Sequence, residues 1–124
     1  MSDSPILLSI SMLISGREEM KKSLDSLRYF TEALPCEIIL VDTGCSPECR
    51  ALAEQYTDKI YDFEWCNDFA AARNVGLRAA KGQWFLYLDD DEWFENPQEI
   101  IQFFKSEEYK NYNSASYLVR NYFN

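Results

Sequence analysis

The chain contains no histidine. Within these residues that absence excludes a Ser-His-Asp triad, a histidine general base and any metal site built on imidazole. Positive charge is also scarce: 12 Lys and Arg stand against 21 Asp and Glu, a formal net charge of −9. A surface of that sign repels phosphate backbones, so nucleic acid is not an expected partner. It repels anionic lipid headgroups as well. Glycine is sparse, with 4 in the chain, and none lies in a G-x-x-x-x-G-K-[ST] or G-x-G-x-x-G loop. A diphosphate held here would rest on a metal ion and side chains, not on a glycine cradle. No Cys-x-x-Cys pair occurs among Cys36, Cys45, Cys49 and Cys66. The apolar run over residues 6–14 (ILLSISMLI) is too short to span a bilayer. Asp3 precedes it, where an export signal would carry basic residues. The expected setting is therefore the cytoplasm, with the cysteines reduced and acting as small buried apolar residues rather than as zinc ligands.

What is present is an ordinary globular composition, 47% hydrophobic and 27% charged over 124 residues. That length fits one domain, residues 1–124, with a single core. Residues 6–14 read as a strand buried on both faces. Gly16 breaks it, and a helix follows from near Arg17 with Met20, Leu24, Leu27 and Leu34 on one stripe, stopped by Pro35. Residues 37–41 (EIILV) form a second strand. Ser46 and Pro47 then open a helix running to about Tyr56, on which Cys45, Cys49, Leu52 and Tyr56 share a face. Residues 59–63 make a short third strand. Asn67 or Asp68 caps a third helix, with Phe69, Ala72, Gly76, Leu77 and Ala80 on its inner face and Lys81-Gly82 as its C-terminal stop. Residues 83–88 (QWFLYL) form a fourth strand. Asn96-Pro97 opens another helix presenting Ile100, Ile101 and Phe104, and residues 116–123 read as a last strand. Strand and helix alternate throughout, so the expected fold is α/β: a mostly parallel, Rossmann-like sheet with helices on both faces.

In such sheets ligands bind beyond the carboxyl ends of the strands. Residues 15–19, 42–46 and 89–92 fall there, and the loop entering residues 68–74 can reach the same edge. The strongest signal is LDDDEW, residues 88–93. Three aspartates directly after an apolar strand raise one another's pKa, and a bound divalent cation removes that cost. In extended chain Asp89 and Asp91 project to the same side. Oxygen ligands with no imidazole or thiol beside them suit Mg2+ or Mn2+. The plainer alternative is a solvated acidic turn before a helix. Asp42, before Thr43-Gly44, stands where an acid can accept hydrogen bonds from a base or ribose, or else merely close a turn. Arg73, about one turn into its helix, and Arg17, after the first strand, are the candidate cations for an anionic ligand.

Taken in order, the apolar first strand, EIILVDTGCS and CNDFAAARNVGLRAAKGQWFLYLDDDEW resemble the family 2 glycosyltransferases of GT-A fold. The likeness covers about residues 6–95 and is most specific from Asp68 to Glu92. It implies that Asp42 contacts the uracil or ribose of a nucleotide, and that Arg73, with Asp68, holds base and diphosphate. It further implies that Asp89 and Asp91 are a D-x-D pair, with Asp91 as the direct metal ligand. Asp90 joins the nucleotide-sugar-binding set, as do Ser15, Arg17 and Glu19, which stand where the family carries K-N-E-E. The turn departs from the family's D-T-G-S-x-D: Cys45 replaces the serine and the second aspartate is missing. Ala70 replaces another serine.

The function implied is metal-dependent, inverting transfer of a sugar from a nucleotide-diphosphate sugar, expected to be a UDP-sugar, using Mn2+ or Mg2+. The acceptor (polysaccharide, lipid-linked or protein) is not specified. The family's transfer domain is longer than this chain. The acceptor half and the general base are therefore expected downstream of Asn124, leaving the 124 residues as an inactive donor-binding half. The full-length protein could then sit peripherally at the inner membrane face, and an uncovered sheet edge is compatible with a homo-oligomer. The alternative is a nucleotide-sugar-binding module without turnover. A receiver-type signalling domain would need carboxylates after the first strand, where Ser15-Gly16-Arg17 stands. A nucleotidyltransferase would show a glycine-rich basic loop there.

Overall fold

A computed structural model describes residues 6–89 and 97–111. In chain order these form β1 (Leu8–Ile14), α1 (Met20–Ala33), β2 (Cys36–Asp42), α2 (Pro47–Ala53), β3 (Ile60–Asp62), α3 (Phe69–Ala79), β4 (Trp84–Asp89) and α4 (Pro97–Lys105), followed by a 3-10 turn, Glu108–Asn111. The four strands make one parallel sheet in the order β3-β2-β1-β4. The α/β architecture is thus as the alternation of the sequence implies. The acids 90–92, the Asn96 cap and the strand expected over residues 116–123 lie outside the described residues. No helix among the described residues is long and apolar enough to cross a membrane.

The two faces of the sheet are built differently. On β1, Leu8, Ile10, Met12 and Ile14 pack with Leu24, Leu27 and Phe30 of α1 and with Ile101 and Phe104 of α4 in the main core. Burying each such side chain contributes about 1.5–3 kcal/mol. The alternate residues Ser9 and Ser11 are also buried, 0% and 2% exposed, but they are small. They face α3, and a Cβ on Gly76 would lie 2.1 Å from the Ser11 hydroxyl. Close approach of helix to strand is therefore what these residue sizes permit. It also corrects the expected stripe on α3. Ala72 and Gly76, four apart, are buried, whereas Phe69 and Leu77 are 54% and 51% exposed. The helix meets the sheet along its smallest residues, and its bulky ones turn outward.

Element ends follow local chemistry. Leu34, before Pro35, is extended, as the residue before a proline prefers, and its N–H still bonds the Phe30 carbonyl at 2.8 Å. The Ser46 hydroxyl accepts from the Cys49 amide, and Pro47 occupies the first turn of α2. That helix ends at Ala53, short of Tyr56, although Cys45, Cys49, Leu52 and Tyr56 do all pack on the main core. Asp68, not Asn67, caps α3 by accepting from the Ala71 amide. Gly82 is not the left-handed cap that the sequence suggested, because α3 closes through extended Ala80. Gly82 is needed for space: a Cβ there would sit 2.7 Å from the Ser9 hydroxyl and 2.8 Å from its amide nitrogen.

The amino ends of the strands are tied together by one buried carboxylate. Glu37 is 5% exposed. Its Oε2 accepts from the Ser9 hydroxyl at 2.6 Å and from the Lys81 amide at 2.7 Å, and its Oε1 accepts from Lys59 Nζ at 2.6 Å. The Gly82 amide in turn donates to Ser9 Oγ at 2.8 Å. Burial alone would raise the Glu37 carboxyl, but Lys59, Ser9 and Lys81 hold it below the usual carboxylate range. Burial pushes the Cys36 thiol up to about 12. All four cysteines are free. The expectation that they are small buried residues fails for Cys66, which is exposed.

Candidate nucleotide site at the carboxyl edge of the sheet

Strand register brings a row of acids to one edge. Ile14 pairs with Asp42, Asp42 pairs with Asp62, and Leu13 pairs with Asp89. Three of the four strands thus end in aspartate. Side chains alternate between faces along a strand. Ile14 belongs to the core under α1, and Leu13 to the small cluster under α3 with Val41 and Ala72. Asp42 therefore turns toward α2 and Asp89 toward α3. With β1 between them, the two lie two strand spacings apart, roughly 10 Å.

Each is met by an arginine from its own side. Arg50 of α2 donates through Nη1 to Asp42 Oδ2 at 2.9 Å and to Asp62 Oδ1 at 2.7 Å. Arg73 of α3 reaches Asp89 Oδ1 through Nη2 at a looser 3.4 Å. The Arg73 guanidinium also lies over the rings of Tyr87, 4.6 Å from its centroid, and Phe69, at 5.7 Å. Trp65 packs edge-on against Phe69. The Nε atoms of both arginines are buried without a hydrogen-bond partner.

Asp42 is 9% exposed and holds its own turn. Its Oδ1 accepts from the amides of Gly44 at 2.9 Å and Cys45 at 2.8 Å. Gly44 has φ +139°, a conformation in which a side chain would be strained. Thr43 fastens the turn to β1, its amide and hydroxyl both bonding the Ile14 carbonyl at 2.9 and 3.0 Å. Burial would raise the Asp42 carboxyl, but the Cys45 and Gly44 amides and Arg50 hold it below the ordinary carboxylate range. Burial also raises the neighbouring Cys45 thiol, as do Cys49 and Asp42.

The remaining sequence candidates divide. Ser15, Arg17 and Glu19 are exposed in the segment between β1 and α1, on the same edge. Asp68 is exposed, and its carboxylate is spent on capping α3 through the Ala71 amide. Asp90 and Asp91 fall outside the described residues. Arg50 and Asp62 join the site without having been candidates in the sequence; the signal available for Asp62 is that, like Asp42, it ends a strand. No group of three His, Cys, Asp or Glu side chains able to hold a metal gathers among the described residues. Among the described residues Asp89 is a carboxylate on the α3 side of this edge, about one-third exposed, with Arg73 at 3.4 Å. An oxygen donor of this kind fits Mg2+ or Mn2+, which take one or two carboxylates and complete their shells with phosphate and water. A depression of about 460 Å3 lies at the opposite end of the sheet, lined by Arg28, Glu37, Tyr56 and Lys59 among others. Within it Lys59 pairs with Glu37, and Arg28 lies over the Tyr56 ring at 4.9 Å. The edge bearing Asp42, Asp89 and Arg73 is thus the better functional candidate.

Comparison with known proteins gives a consistent result. The pattern of "Glycosyl transferase family 2" matches residues 15–120. An uncharacterized glycosyltransferase of Haemophilus influenzae is 35% identical over 101 residues, covering 77% of this chain and 34% of its own length. A TPR repeat-containing protein of Synechococcus elongatus is 43% identical over 56 residues, 45% of this chain and 14% of that protein. The chain therefore spans about a third or less of the length of these relatives. Among solved structures, S. aureus TarS superposes with a TM-score of 0.59 at 19% identity, over 82% of this chain and 33% of that one, a likeness of fold. A parallel sheet with its acids and arginines at the carboxyl edge, a family pattern running through 106 of 124 residues, and the Haemophilus influenzae relative lead to one conclusion: the chain belongs to glycosyl transferase family 2.

Proposed function

We propose that this chain is the donor-binding part of a metal-dependent glycosyltransferase that takes a nucleotide-diphosphate sugar, a UDP-sugar in the first instance. The observation that carries the reading is the pair of Asp–Arg contacts at the carboxyl edge, one on each face of the sheet. A nucleotide has two chemically different ends. An acceptor carboxylate such as Asp42 suits the N–H of a base, and a cation such as Arg73 beside Asp89 suits the diphosphate. Asp89 and Asp91 would hold Mn2+ or Mg2+. When bound, that ion neutralises the leaving nucleoside diphosphate, which is electrostatic stabilisation of the departing group. Arg73, kept in place by the Tyr87 and Phe69 rings, adds a fixed positive charge on the same side. The acceptor, the inverting course and the general base belong to the proposal for the longer protein, and a binding module without turnover is the second reading.

The test is isothermal titration of UDP with and without Mn2+. Binding that depends on Mn2+ is expected. An Asp91→Ala variant should lose that dependence at unchanged or higher Tm, because a cluster of like charges is relieved. Intact Mn2+-dependent binding in that variant, with a lowered Tm, would show the acids to be structural and sink the proposal. Sugar release from UDP-sugars by the full-length protein separates turnover from binding alone.

A further inference from the structure

We infer that Arg50 is a positioning residue of the donor site, fixing Asp42 so that its remaining acceptor position faces the nucleotide base. The inference rests on the nucleotide-binding reading above and adds a residue to it. A carboxylate offers about four lone-pair positions. Asp42 commits two on Oδ1 to the Gly44 and Cys45 amides and one on Oδ2 to Arg50. One position on Oδ2 remains among the described residues, with the neighbouring Cys45 thiol the one weak donor beside this carboxylate. Its direction is set by Arg50, because the turn amides fix one oxygen and the guanidinium fixes the other.

Arg50 is itself anchored against rotation. The same Nη1 that meets Asp42 also meets Asp62, the residue in register with Asp42 on β3. Glu54, one turn further along α2, lies 3.9 Å from Nε. The side chain is only 31% exposed, and its Nε has no hydrogen-bond partner. A lysine at this position would supply the charge from a shorter, more flexible point donor. The charged and titratable groups around the Asp42 carboxyl are Arg50 from α2, Asp62 from β3 and Cys45 from its own turn. Burial opposes its ionisation, and Arg50, with the Cys45 and Gly44 amides, offsets that cost. Arg50 therefore sets both the aim and the charge of Asp42, at the base end of the ligand and away from Asp89.

The experiment compares wild type, Arg50→Ala and Arg50→Lys in the intact protein, by titration of UDP and of inorganic pyrophosphate, each with Mn2+. Arg50→Ala is expected to weaken UDP at least tenfold and to leave pyrophosphate within twofold, with Arg50→Lys between wild type and Arg50→Ala for UDP. The acid limb of UDP binding should move to higher pH in Arg50→Ala, as the buried Asp42 carboxyl loses a charged partner that helps keep it ionised. Equal UDP affinity in wild type and Arg50→Ala overturns the inference while leaving the nucleotide reading intact. An equal loss for UDP and pyrophosphate overturns it too, since the effect is then general. Failure of wild type to bind UDP overturns the nucleotide reading and this inference with it. Should Arg50→Ala not fold, Arg50→Lys decides: a severalfold loss confined to UDP supports the inference, and wild-type affinity overturns it.

Discussion

Glu37 shows how much one buried residue can hold. Three donors converge on its carboxylate, namely Lys59, the Ser9 hydroxyl and the Lys81 amide. A Glu37→Gln change puts an amide NH2 where an oxygen accepts, so at least one donor is left facing another. The expected loss is about 1–3 kcal/mol, read from urea unfolding midpoints. A midpoint within error of wild type would show the network to be weak. The pH dependence has a definite sign. Glu37 and Asp42 both have carboxyls lowered in the folded state. Each contributes stability that is present above the unfolded carboxylate value and lost as pH falls through the folded one. Wild-type Tm should stay level from neutrality to about pH 5 and fall below about pH 4, with a smaller fall in Glu37→Gln. At this scale the sequence is partly legible. Asp42 and Asp89 announce themselves because each ends an apolar run. Arg50 does not, because its two partners sit on β2 and β3 and meet only through strand register.

Among the elements, α3 is the one whose sequence reading needed most correction. Its apolar pattern suggested that Phe69 and Leu77 would face inward, yet both face out. Periodicity reports which residues are apolar, but not that a helix seats closest along its smallest ones. Ser9 and Ser11 on β1 carried the missing half of the information, being small polar residues in a strand otherwise made of large apolar ones. Gly76→Ala tests this account. Its new methyl would overlap Ser11 Oγ and lie 3.1 Å from Ser11 Cβ, so α3 must lift or Ser11 must turn. A cost of about 1–3 kcal/mol is expected from chemical denaturation. The double variant with Ser11→Gly should recover part of it, through the space freed under the helix, and no recovery would move the cause elsewhere. Because Arg73 lies one turn before Gly76, the same lift should weaken its reach to Asp89. The caps of α2 and α3 were legible, since Ser46-Pro47 and Asp68 use purely local chemistry.

The whole molecule was the most legible level, because four strands alternating with helices leave few ways to cover a parallel sheet. Ligand binding is also read at this scale. A ligand that binds only the folded state stabilises it, by about 2.7 kcal/mol at a hundredfold excess over Kd. UDP with Mn2+ should therefore raise Tm by several degrees, and EDTA should remove the gain. A rise of the same size in EDTA would mean that no cation takes part. Sheet order has one more effect, on synthesis. β1 lies inside the sheet, but its second neighbour, β4, is the last of the four described strands to be made, about seventy residues later. At ribosomal speeds of roughly 5–20 residues per second, one flank of the nascent β1 waits unpaired for on the order of ten seconds. During that wait a chaperone, or another emerging chain, competes with β4 for the place that the Lys81 and Gly82 amides will finally latch.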